Sequence, residues 1–105
     1  MSSHEFDKDK WQNSTIFEQM GNIGSEVGRA LNAKRHGDEA AMNGAFYRGL
    51  DLLDATAEQL ARDKSPRLKE VLRAREQFSR AILVADDPGI EMYFMEFALA
   101  ARAGR

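Results

Sequence analysis

Glu26, Asp51 and Asp54 are the residues of this chain whose types and spacing come nearest to enzyme chemistry. Carboxylates are hard oxygen ligands, and several of them converging on one face of a helical bundle would hold Mg²⁺ for a metal-dependent enzyme. Asp51-x-x-Asp54 supplies two of them one helical turn apart, and Glu26 supplies the third from another helix. A bundle-centred site of the di-iron kind needs Glu-x-x-His on two helices instead. The only histidines, His4 near the start and His36 at a helix end, belong to no such motif. With no cysteine, disulfides, thiol catalysis and thiolate metal sites are all excluded. Arg29 and His36 form the other pair of interest, Arg-x6-His along one helix.

The Arg29–His36 spacing is similar to the Arg-x4-6-His motif of the helical HEPN ribonucleases. In that family histidine handles the proton and arginine holds the phosphate, so the resemblance implies RNase chemistry at these two positions. Ala30 follows the arginine where those proteins carry a polar residue, and His36 also suits the C-terminal end of its helix. Taken together, the residues predict no catalytic set, no metal and no cofactor. The alternatives are Arg29 with His36 for RNase chemistry and Glu26, Asp51 and Asp54 for Mg²⁺.

The elements that must position these residues are organised around Gly21-Asn22-Ile23-Gly24-Ser25-Glu26-Val27-Gly28-Arg29. Ile16, Met20, Ile23, Val27 and Leu31 recur at helical spacing through it. Each glycine inside a helix costs about 1 kcal/mol relative to alanine. Such a helix recovers that cost through contacts that only glycine allows. Gly24-x-x-x-Gly28, with Gly21 beside it, leaves a face without side chains, the spacing that lets helices approach closely. Packing within the chain is the first expectation for this groove, and a subunit contact the second. The Gly-x-x-Gly of a KH domain needs a surrounding sheet, and a phosphate-binding loop needs a preceding strand and Gly-Lys-Ser/Thr. The chain offers neither.

Four helices follow from the pattern. The first runs from about Thr15 to Arg35, with Thr15-x-x-Glu18 at capping-box spacing and Gly37 as its left-handed stop. Trp11 is placed to fold back on its first turn. The second starts at Asp38, carries the stripe Phe46, Leu50, Leu53, Ala57 and Leu60, and ends near Asp63. Ser65-Pro66 reads as the start of the third, serine as cap and proline as first residue. Asp86-Asp87-Pro88-Gly89 breaks that helix, and Asp87 caps the fourth, which begins at Pro88 and runs to about Ala103. One face of the fourth helix carries Ile90, Tyr93, Phe94, Phe97 and Ala101, and another carries Met92, Met95 and Leu99. Connections of a few residues make successive helices antiparallel neighbours. The fold expected is all-α, an up-down-up-down antiparallel four-helix bundle with a short fourth helix. Residues 1–10 are polar and read as a flexible N-terminal tail, leaving 11–105 as the one domain.

Charge limits the partners. The net charge of -2 gives no overall basic field of the kind nucleic-acid binders show. Lys64, Arg67, Lys69, Arg73, Arg75 and Arg80 make the third helix locally basic, interrupted by Glu70 and Glu76 and without aromatic residues to stack bases. Asp51, Asp54 and Glu58 stripe the second helix, and Arg73, Gln77 and Arg80 the third, so these edges are expected to pair. No apolar run reaches the roughly 18 residues of a membrane span, and no secretory signal opens the chain. A cytoplasmic location fits the absence of cysteine.

The whole pattern also resembles a family of short, uncharacterised prokaryotic all-helical proteins. The residues that carry the likeness are Trp11 ahead of Ile16-Phe-Glu-Gln-Met-Gly-Asn-Ile-Gly-Ser-Glu-Val-Gly-Arg-Ala-Leu31, then Phe46-Tyr-Arg-Gly-Leu-Asp-Leu-Leu-Asp54. Arg67-Leu-Lys-Glu70, Arg73-Ala-Arg-Glu76 and Tyr93-Phe-Met-Glu-Phe-Ala-Leu-Ala-Ala-Arg102 complete it. That resemblance implies a fold and no activity. More loosely, the architecture is similar to S23/Avd-type four-helix bundles, which are oligomeric and bind nucleic acid through basic surfaces. The function expected is a non-catalytic interaction module that self-associates as a homodimer and is open to a protein partner. Its contact residues would be Gly21, Gly24 and Gly28 with Met92, Tyr93, Met95 and Phe97. A nucleic-acid-associated bundle is the alternative.

Overall fold

The computed structural model describes residues 10, 11, 13–84 and 88–102. Four helices account for nearly all of them: α1 Ile16–Arg35, α2 Glu39–Arg62, α3 Leu68–Leu83 and α4 Pro88–Arg102. The chain is therefore an all-α four-helix bundle with α2 longest and α4 shortest.

Helix boundaries follow local chemistry. Thr15 Oγ1 accepts from the Glu18 amide at 3.1 Å while Glu18 Oε1 accepts from the Thr15 amide at 2.8 Å, so the capping box is complete. At the other end of α1, Gly37 takes φ 74, a left-handed conformation that glycine adopts without steric cost. Asp38 Oδ1 then accepts from the Ala41 amide and caps α2. The start of α3 differs from expectation. Ser65 does offer its hydroxyl, but to the Arg67 amide, and Pro66 and Arg67 form a turn, so the helix begins two residues later at Leu68. The expected cap of α4 at Asp87 lies outside the described residues, as do the tail residues 1–9.

α1 is the centre of the packing. It lies against α2 on one side and α4 on the other, whereas α3 packs chiefly on α2 and touches α4 only slightly. Met20, Ile23, Val27 and Leu31 are fully buried, the core face that the spacing predicted. Leu53 and Phe78 join them from α2 and α3, and Ile90 and Phe94 from α4. Phe78 packs edge-on to Phe46, ring centroids 5.1 Å apart.

Trp11 is buried, though not merely against the first turn of α1. Its indole Nε1 donates to Thr56 Oγ1 of α2 at 3.1 Å, and Thr56 donates to Gln19 Oε1 at 3.0 Å. Gln19 Nε2 returns the connection, donating to the Trp11 carbonyl at 2.7 Å and to Gln59 Oε1 at 3.0 Å. Gln19 and Thr56 are the only buried polar residues among those described, and each finds partners, as burial of a polar group requires.

Candidate functional site

The glycine face divides into a filled half and an open half. At Gly24 a Cβ would lie 2.7 Å from Phe94 Cβ, so α4 sits where a side chain would otherwise stand. At Gly28 a Cβ would meet nothing within 4 Å among the described residues. Gly21, Gly24 and Gly28 therefore floor a shallow groove of about 280 Å³, walled by Ser25 and by Glu91, Phe94 and Met95 of α4.

The outer face of α4 continues from that groove. Met92 is 58% exposed, Met95 53% and Leu99 54%, at i, i+3 and i+7 on one side of the helix. The structure places four of the expected contact residues, Gly21, Gly24, Gly28 and Met95, on a common concavity. Tyr93 faces the other way. Its hydroxyl donates to Glu70 Oε1 at 2.8 Å, and its ring meets Phe94 edge-on, so it fastens α4 to α3. Burial raises the phenol's pKa above its ordinary value, and the hydrogen bond and charge of Glu70 push in the same direction. Phe97 belongs to α4, and its side chain lies outside the described residues.

The carboxylates proposed for Mg²⁺ do not come together. Among the described residues no three acidic or histidine side chains form a group able to hold a metal ion. Glu26 is engaged by Arg29 and Arg48, and Asp54 by Arg75 at 2.7 Å, each carboxylate held by a cation from a neighbouring turn or helix. The paired edges of α2 and α3 thus meet through Arg75, not through Arg73 and Arg80. Glu58 closes an i,i+4 pair with Arg62 along α2. As exposed pairs, Asp54–Arg75 and Glu58–Arg62 contribute at most about 0–1 kcal/mol each.

Arg29 and His36 do share a surface. Both line a groove of about 490 Å³ between α1 and the start of α2, together with Asn32, Asp38 and Arg48. His36 Nδ1 lies 2.7 Å from the Asn32 carbonyl oxygen. The sequence patterns do not single out Arg48. Its place becomes visible only once α1 and α2 lie antiparallel, which brings it level with Glu26.

Comparison with family models, with curated proteins and with solved structures finds no match. The chain's own residues carry the functional argument.

Proposed function

We propose that this protein is a non-catalytic interaction module that works as a homodimer, pairing through the outer face of α4 and the open end of the glycine groove. The observation that carries the reading is the stripe of Met92, Met95 and Leu99, each more than half exposed, continuous with a groove that has no side chain at Gly28. A second copy is the favoured occupant because i, i+3, i+7 apolar spacing is self-complementary between two helices related by a two-fold axis. The setting that suits it is the cytoplasm. Among the described residues no helix is long and apolar enough to cross a membrane.

Magnitudes set the expected strength. Complete burial of a methionine or leucine is worth about 1.5–3 kcal/mol, and these side chains are half buried already. A symmetric pair would then gain roughly 5–9 kcal/mol from the stripe, against an association cost of about 4–15 kcal/mol. The stripe alone makes a weak dimer, and closing the groove must add to it.

Light scattering over a dilution series tests this. The expected result is a mass near twice 11.8 kDa at high concentration that falls on dilution, and a monomer for Met95→Glu with unchanged helix content. A monomer at every concentration that gains mass only on adding RNA would overturn the reading.

A further inference from the structure

Glu26 lies between two guanidinium groups. Arg48 Nε donates to its Oε2 at 3.1 Å, and Arg29 Nη1 stands 3.2 Å from its Oε1. The second contact has ion-pair distance without hydrogen-bond alignment, and Oε1 is buried with no hydrogen-bond partner. One carboxylate thus faces two cations. Its side chain is 12% exposed, whereas that of Arg29 is 62% and that of Arg48 36% exposed, so the surplus positive charge is presented outward. Each guanidinium has five N–H donors, and Glu26 takes one aligned bond from Arg48.

Arg29, Asn32 and His36 recur at i, i+3 and i+7 on α1, so all three face the groove that Arg48 closes from α2. A carbonyl oxygen only accepts. The contact of His36 Nδ1 with the Asn32 carbonyl therefore places a hydrogen on Nδ1 and leaves Nε2 as the ring's available group. Glu26 lies behind the two guanidiniums and does not itself line the groove; Asp38, the one carboxylate among the described lining residues, accepts from the Ala41 amide and offsets the positive end of α2. Ala41 and Gly44 keep the floor low. A groove of about 490 Å³ is within the size range of small-molecule sites.

We propose that this groove binds a phosphate ester of mononucleotide size, with Arg29 and Arg48 on the phosphoryl oxygens and Asn32 and His36 on its remaining polar groups. Guanidinium is the side chain best matched to phosphate oxygens. Glu26 then acts as a competing internal anion that keeps both cations in place while the groove is empty.

The test is an NMR titration of the arginine Nε–H and histidine ring signals with inorganic phosphate and, separately, adenosine 5′-monophosphate, against chloride at matched ionic strength. Saturable shifts at Arg29, Arg48 and His36, with the nucleotide tighter than phosphate, are expected. Arg29→Gln should weaken binding about tenfold, the scale of one charge-assisted hydrogen bond. Glu26→Gln should tighten it, because it removes the competitor. Shifts that rise linearly and are matched by chloride, or nucleotide binding that Arg29→Gln leaves intact, would overturn the proposal. Arg29 is exposed enough that this variant keeps the fold, which circular dichroism verifies.

Discussion

Phe94 stands directly over Gly24: a Cβ on Gly24 would come within 2.7 Å of Phe94 Cβ, a distance at which backbone or side chain must shift. One turn along the same helix, Gly28 faces open space. Two glycines of one motif therefore have opposite roles. Gly24 lets α4 dock, while Gly28 leaves a notch that none of the described residues fills.

Substitution separates them. Gly24→Ala should destabilise the fold by roughly 1–3 kcal/mol, the range for overpacking a core. Gly28→Ala should stabilise the monomer by about 0.5–1 kcal/mol, because alanine is the better helix former and meets no neighbour among the described residues of its own chain. Urea denaturation at one fixed protein concentration measures both, and equal effects of the same sign would contradict the geometry.

The buried chain Trp11–Thr56–Gln19 makes a second prediction. Thr56→Val keeps shape but deprives the Trp11 indole N–H of its acceptor and Gln19 Oε1 of its donor. Leaving such groups unsatisfied costs about 1–3 kcal/mol each. Denaturation should show the loss, and tryptophan fluorescence should shift towards the solvent-exposed value as the segment around Trp11 loosens. Unchanged stability and emission would mean that this network does not hold the segment.

Tyr93 makes stability depend on alkaline pH. Its phenol is raised in the folded state, first by burial and then by Glu70, so the native protein holds this proton more tightly than the unfolded chain does. The contribution is fully present below the unfolded value near about 10 and is lost as pH rises above it, because only the unfolded state then releases the proton. Denaturation midpoints taken between about pH 8 and 11 should owe a fall to this group only above about pH 10, and Tyr93→Phe should flatten that part of the slope. A slope identical in the variant would assign the effect to other groups.

Much of the fold was legible because its signals are local. Thr15 and Glu18, Gly37 and Asp38 sit within a few residues of the backbone groups they satisfy, and each does what its spacing indicated. Ser65-Pro66 misled because a serine hydroxyl bonded two residues ahead builds a turn as readily as a helix cap. Lys64 at φ 53 already bends the chain there. The candidate site was legible only as a list of residues. Gly24 and Gly28 are equivalent in sequence, and what distinguishes them is the position of Phe94, set by tertiary packing. Trp11 finds its acceptor forty-five positions away, and Arg48 and Glu26 meet across two helices, so no local pattern announces either contact.

The central position of α1 bears on how the chain is made. Its partner α2 follows at once, but α4 is the last of the four helices to leave the ribosome. At roughly 5–20 residues per second, α1 waits several seconds with Gly24 and its neighbouring apolar positions uncovered. For that interval the nascent chain displays a bare face at Gly24 that Phe94 covers in the finished fold.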